Sequence, residues 1–264
     1  MSEPGLAETW AALKRSGRTA LIPYLTAGHP DRAASLEALR RAAEHADIIE
    51  VGVAFSDPLA DGPTIQRSTF EALQGGMTVA STLELIAEAR LDLPVVVFSY
   101  LNPLLRYGID RFVRDAAEIG VAGLLLTDLP AGTDQSTEAI VRQSPLALIR
   151  LVAPTSAGPR LTEVVRDAEG FLYLVARLGV TGASRTLASG MEEYIARVRA
   201  VSTLPLAVGF GISTPEQART VAHLADGVVV GSALVDCLAR EGPSGAGRFL
   251  ASLRAALDSN GAGR

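Results

Sequence analysis

Asp47 to Val53 reads DIIEVGV. Apolar residues stand on both sides of one glutamate, as in a strand covered by helices outside and packed on a core inside. Strand periodicity puts Ile48, Glu50 and Gly52 on one face and Ile49, Val51 and Val53 on the other. The branched face suits a helix layer, so Glu50 points inward. Working outward, seven further runs share this character: Leu21 to Thr26, Val95 to Tyr100, Gly123 to Asp128, Leu146 to Val152, Phe171 to Ala176, Pro205 to Phe210 and Gly227 to Gly231. Helical-period segments alternate with them at Arg32 to Glu44, Ile65 to Leu73, Asp110 to Ile119, Asp134 to Gln143, Leu161 to Ala168, Met191 to Val201, Pro215 to Ala222 and Ser244 to Leu257. Eight strands in strict alternation with helices predict an α/β fold, a (βα)8 TIM barrel. An added N-terminal helix, Leu6 to Lys14, and an extra helix between strands two and three, Val79 to Ala89, fit around that frame. Thr214-Pro215-Glu216-Gln217 carries the marks of a helix start, with Thr as N-cap, Pro at the first helical position and Gln set for a capping box. No linker-like or repeated tract interrupts the run, so residues 1–264 read as one domain.

Composition narrows the function. The 264 residues are 48% apolar, enough for a substantial core, and the net charge of −5 arises from scattered residues with no basic block. Nucleic acid is therefore an unexpected partner. No secretory signal opens the chain and no segment approaches the roughly 18 apolar residues of a membrane span, so the expectation is a cytoplasmic protein without a membrane partner. The single cysteine, Cys237 in SALVDCLAR, reads as a structural helix position.

In a TIM barrel the active site lies at the C-terminal ends of the strands. Glu50 sits there, and a carboxylate stripped of water inside a barrel has its pKa raised toward neutrality, ready for proton transfer. Asp57 and Asp61 follow in FSDPLADGP, a turn-rich loop long enough to curl over the mouth; either residue alone is an ordinary turn former. Gly179 to Gly182 after strand six, Gly209-Phe210-Gly211 after strand seven and Gly231-Ser232-Ala233 after strand eight stand where this fold binds phosphate. Glycine lets N–H groups approach an anion, and a helix starting at Ser232 points its positive end at the same spot.

A phosphate-binding barrel with an inward carboxylate suits an aldolase, an isomerase or a decarboxylating cyclase. A Schiff-base aldolase needs a lysine on the catalytic face, but the only lysine, Lys14, precedes strand one. A metal-dependent aldolase needs clustered ligands, and His29, His45 and His223 are scattered, each reading as a surface or turn histidine. Electrons from a cleaved C–C bond then flow into the substrate itself, and an aromatic heterocycle protonated at the departing carbon can take them. Inward parity gives Tyr24, Phe98, Tyr100 and Tyr173 to the lumen, an aromatic concentration in a chain only 5% aromatic.

The stretch EVGVAFSDPLADGPTIQ, Glu50 to Gln66, together with IPYLTAG, SYLNP, TDLP, YLVARLGVTGA, LPLAVGFGIS and GVVVGSAL, resembles the tryptophan synthase alpha subunit family over nearly the whole chain. The resemblance implies a carbon–carbon lyase that splits indole-3-glycerol phosphate into indole and D-glyceraldehyde 3-phosphate in L-tryptophan biosynthesis, without metal or Schiff base. It implies Glu50 as general acid/base, Asp61 as acceptor of the indole N–H, and Tyr173 beside Glu50. Tyr24, Phe98, Tyr100, Leu125 and Thr127 line the indole pocket in this view, and Gly182, Gly211, Gly231 and Ser232 hold the phosphate. The loop bearing Thr181 closes over substrate, and the Asp57 loop faces a partner beta subunit that carries the pyridoxal phosphate, in an alpha2beta2 heterotetramer; the chain itself has no cofactor. Ala54 departs from the family, which generally has Pro there, and bears on coupling to the partner. A lyase acting alone and a non-catalytic phosphate-binding barrel are the rival readings. An indole-glycerol-phosphate synthase is expected to use catalytic lysines.

Overall fold

The eight apolar runs close on themselves as parallel strands in sequence order, β1 pairing with β2 and so on around to β8 beside β1. The computed structural model describes residues 5–175, 184–209 and 211–259, with backbone alone for 184–189. The strands are β1 (Ala20–Thr26), β2 (Ile49–Gly52), β3 (Val95–Ser99), β4 (Val121–Leu126), β5 (Ala147–Val152), β6 (Leu172–Val175), β7 (Leu206–Gly209) and β8 (Gly227–Val230). The helices are α1 (Leu6–Ser16), α2 (Arg32–Ala43), α3 (Pro63–Gln74), α4 (Val79–Ala89), α5 (Leu101–Tyr107), α6 (Ile109–Glu118), α7 (Gln135–Arg142), α8 (Gly158–Arg166), α9 (Ser184–Arg199), α10 (Pro215–Ala222) and α11 (Ser232–Asp258).

Strand parity separates two apolar layers. Ile22, Ile48, Val96, Leu125, Ile149, Ala207 and Val229 fill the barrel, while Leu21, Ile49, Val51, Val97, Leu124, Leu148, Val208 and Val228 meet the helices. Each such Val, Leu or Ile side chain, fully withdrawn from water, stabilises the fold by about 1.5–3 kcal/mol. The floor is sealed by α1, whose Leu6, Trp10 and Leu13 belong to the interior layer, with the Trp10 ring 5.6 Å from Phe171. Lys14 is exposed on this same helix, at the end of the barrel away from the strand C-termini. The capping box at Thr214 forms as expected, its side chain accepting from Gln217 N–H while the Gln217 side chain accepts in return.

Two helices go beyond the elements read from the sequence. No element is expected between the third strand and Asp110, yet Leu101–Tyr107 is helical. Pro103 falls in the first turn, where no N–H is needed, and Gly108 at φ +97° separates α5 from α6. The helix expected to start at Ser232 does so, and the one expected from Ser244 is its continuation; Gly242, at φ +68°, breaks the run into two pieces, the second opening on Pro243. Cys237 lies buried in the first piece, with its thiol pKa raised by burial, as a packing residue. His29 is not a surface residue. It is 1% exposed, in a turn with its N–H on Thr26 O, its Nδ1 3.0 Å from Glu71 Oε2 and its pKa lowered by burial.

Candidate active site

Glu50 stands in register with Tyr24 on β1 and Val96 on β3, and all three point into the barrel. Its neighbours are hydrocarbon and aromatic rings. The carboxyl is fully buried and neither oxygen has a hydrogen-bond partner among the described residues. Burial alone raises its pKa from 4.5 to about 8, which puts a proton-carrying carboxyl in balance with its carboxylate near neutral pH.

Aromatic rings enclose this carboxyl. Tyr24 meets Phe98 edge-on at 5.2 Å, and Phe98 meets Tyr173 at 6.5 Å. Burial first, then the nearby carboxylates, raise the pKa of both tyrosines, so their phenols stay protonated; the charge of Glu50 reaches both. The hydroxyls need close backbone passage to lie where they do. A Cβ at Gly52 would fall on the Tyr24 hydroxyl and one at Gly209 on the Tyr173 hydroxyl, so β2 and β7 each end in the one residue that leaves room. Tyr24 also accepts from the Thr26 hydroxyl at 3.4 Å.

The second carboxylate comes from the loop between β2 and α3. Asp61 Oδ2 accepts from the Tyr100 hydroxyl at 3.0 Å, and that hydroxyl accepts from Ala60 N–H at 2.9 Å. Partial burial raises the Asp61 pKa, and the Tyr100 bond opposes the rise. Tyr100 stacks obliquely on Phe55 at 5.1 Å. Thr127 lies half-buried with its hydroxyl on Ser99 O, close enough to Tyr100 to hydrogen-bond it. Asp57 is exposed, hydrogen-bonded to Ser56 at 2.5 Å, on a loop whose Leu59 is 91% exposed; Ala54 is buried at its root.

A cavity of about 830 Å³ opens at the strand C-termini, lined among others by Tyr24, Asp61, Phe98, Tyr173, Gly211, Gly231 and Ser232. Gly231 is the N-cap of α11 and Ser232 its first residue, so the unpaired N–H groups of the first turn face the cavity end. Gly211 at φ +82° bends the chain after β7 alongside. Leu125 lies below this cavity, wholly buried among Val96, Ile149 and the rest of the barrel interior. Thr181 and Gly182 fall outside the described residues. Sequence reasoning missed Ser213 and Ile65, which also line the cavity. Ser213 was legible from the same glycine-loop logic as Gly211, whereas Ile65 reads as an ordinary apolar position of α3. Among the described residues no three His, Cys, Asp or Glu side chains form a metal-ligand group.

Known proteins are similar to this chain over nearly its whole length. A family model described as tryptophan synthase alpha chain matches residues 10–255. The tryptophan synthase alpha chain of Chloroflexus aggregans is 46% identical over 243 residues, 90% of this chain and 91% of its own. That of Gluconobacter oxydans is 46% identical over 234 residues, 87% of each chain. Among solved structures, a tryptophan synthase of Mycobacterium tuberculosis is similar at TM-score 0.88 and 40% identity, over 97% of this chain and 99% of that one. Tryptophan synthase subunit alpha of Legionella pneumophila gives TM-score 0.89 at 33% identity, over 98% and 99%.

Proposed function

The chain belongs to the tryptophan synthase alpha chain family, and we propose from that membership how its own residues carry out the family's reaction, the cleavage of indole-3-glycerol phosphate. The step is a retro-aldol: the bond between indole C3 and the glycerol carbon breaks, C3 gains a proton, the glycerol hydroxyl loses one, and indole and D-glyceraldehyde 3-phosphate leave. It serves L-tryptophan biosynthesis. No lysine or metal is needed as electron sink, because the indole ring protonated at C3 becomes an indolenine that accepts the bonding pair.

Glu50 moves the protons. Support comes from one observation above the others, a wholly buried, unpartnered carboxyl whose pKa of about 8 lets it give and take a proton near neutrality. Asp61 accepts the indole N–H, stabilising positive charge as it grows on the ring. It suits that work because Tyr100 fixes one oxygen and leaves the other unassigned. Tyr173 stands beside Glu50, Tyr24, Phe98, Tyr100 and Thr127 frame the indole, and Leu125 underlies it from the barrel interior. Gly211, Gly231 and Ser232, with Gly182, bind the phosphate, and the Thr181 loop covers it.

The chain takes no cofactor; pyridoxal phosphate belongs to the beta subunit. We read residues 1–264 as a single barrel domain, cytoplasmic, that joins a beta subunit in an alpha2beta2 heterotetramer through the Asp57 loop. Leu59, so exposed beside the mouth, fits a surface that a partner covers. No helix among the described residues is long and apolar enough to cross a membrane. The deciding experiment is an indole-release assay on the purified chain, alone and with a beta subunit, for wild type and Glu50→Gln. Near-complete loss of kcat with substrate affinity kept is expected, since the phosphate contacts survive; full activity in Glu50→Gln overturns the assignment.

A further inference from the structure

An arginine lies where strand parity calls for a hydrocarbon. On β5, Leu148 and Val152 belong to the apolar layer under the helices, and Arg150 shares their face, 4% exposed. Its guanidinium pairs with Glu138 of α7 at 2.7 Å, and Glu138 is 2% exposed. Two charges so buried are a poor way to glue a helix to a strand, since well-packed apolar residues serve as well or better. This pair is not even complete, because Arg150 Nε has no acceptor among the described residues and the Nη2 contact to Glu138 is an ion pair outside hydrogen-bond geometry.

The pair spends its remaining hydrogen bonds on a single loop. Arg150 Nη1 donates to Leu129 O at 3.1 Å, and Glu138 Oε1 accepts from Gly132 N–H at 2.8 Å. Both lie in the connection from β4 to α7. At the start of that connection, Thr127 N–H and hydroxyl reach Ser99 O at 3.0 and 3.4 Å, and Asp128 Oδ1 accepts from Leu101 N–H at 2.7 Å. Ser99 and Leu101 flank Tyr100, the residue whose hydroxyl holds Asp61. Hydrogen bonds joined by short stretches of backbone thus lead from the buried pair, through the loop after β4, to the carboxylate at the mouth.

We propose that Arg150 and Glu138 are positioning residues for the cleavage reaction, clamping the loop after β4 so that Tyr100 presents Asp61 correctly. The proposal rests on the reading of Asp61 as the acceptor of the indole N–H. Neither side chain touches the cavity, so they act through Tyr100.

The test uses the full chain in the indole-release assay. Arg150→Met/Glu138→Leu removes both charges together and should fold. Its kcat is expected to fall about tenfold, the size of effect a small misplacement of a catalytic group produces, with the inhibition constant of glycerol 3-phosphate unchanged. In a Tyr100→Phe background the same double change should cost less than about twofold, because the link it acts through is already cut. Should the double variant not fold, Arg150→Lys carries the same test: the charge stays balanced, but an ammonium lacks the fork that serves Glu138 and Leu129 together, and the same kcat loss at constant glycerol 3-phosphate affinity is expected. A folded variant with wild-type kcat overturns the proposal, as does a tenfold loss that persists in the Tyr100→Phe background. Asp61→Asn separates the two layers: wild-type kcat there removes the Asp61 reading, whereas an inactive Asp61→Asn beside a fully active pair variant removes only the clamp.

Discussion

Replacing Glu50 by Gln should make the protein more stable as it destroys activity, and the gain should depend on pH. The folded-state pKa stands at about 8 against 4.5 for the free side chain, with burial as its whole cause. Between those values the folded protein binds a proton that the unfolded chain releases, so stability falls as pH rises; it is fully present below 4.5 and lost by the time pH passes about 8. Each pH unit inside the window costs about 1.4 kcal/mol, so from about pH 5 to pH 7.5 Glu50 withdraws about 3 kcal/mol. Glutamine carries no proton equilibrium. Its own buried amide imposes a cost, but the same one at both pH values. Urea unfolding of wild type and Glu50→Gln at the two pH values measures the difference directly, and the relative stability of the variant should rise by about 3 kcal/mol. In thermal melts the same change appears as a relative shift of about 6 °C for a chain of this length. A wild-type-to-variant difference that stays flat across this range refutes the picture of an unpartnered carboxyl in an apolar barrel.

Three further outcomes follow from other contacts. Tyr100→Phe removes the hydrogen bond that opposes the raised pKa of Asp61, so the acidic limb of the kcat/KM profile should move to higher pH; an unmoved limb breaks the link between these two residues. Gly209→Ala puts a methyl where the Tyr173 hydroxyl lies, and kcat should drop by about ten- to a hundredfold while the circular dichroism spectrum stays that of a folded barrel; undiminished kcat means the Tyr173 position is immaterial. Trp10→Ala empties the barrel floor, and a loss of about 3–5 kcal/mol in unfolding free energy is expected, with kcat per folded molecule unchanged because the floor is the far end from the site.

The barrel was legible because its signal is redundant: eight apolar runs, each with a fixed parity, and a helix pattern between every pair. Parity also placed Glu50, Tyr24, Phe98 and Tyr173 inside correctly, since a strand side chain has only two directions to take. What parity does not carry is partnership. That Glu50 lacks a hydrogen-bond donor among the described residues, that Asp61 is held by Tyr100, and that Arg150 meets Glu138 depend on side chains from different elements whose approach is set by closure of the sheet. Helix α5 escaped for a local reason: Pro103 reads as a breaker anywhere except the first turn, and the sequence around it gives no cap that marks Leu101 as the start. His29 escaped because a His-Pro turn reads as exposed until α3 brings Glu71 against it.

The division of labour between the two carboxylates comes from what each is denied. Glu50 has no donor among the described residues, so its proton affinity is set by desolvation and lies where proton transfer in both directions is easy. Asp61 meets the opposite condition in part: partial burial raises its pKa, and a phenol donating to one oxygen opposes the rise. On the proposed reading, a proton-bearing Glu50 inside and the Tyr100-held carboxyl of Asp61 at the mouth are the pair that a C3-protonating, N–H-accepting cleavage uses. Exchange their environments and the chemistry is lost even with both residues present: a donor aimed at Glu50 would pull its pKa back toward the ordinary carboxylate range and leave nothing in the barrel able to protonate C3 at neutral pH. In the proposed mechanism the apolar setting of Glu50 therefore matters as much as its carboxyl.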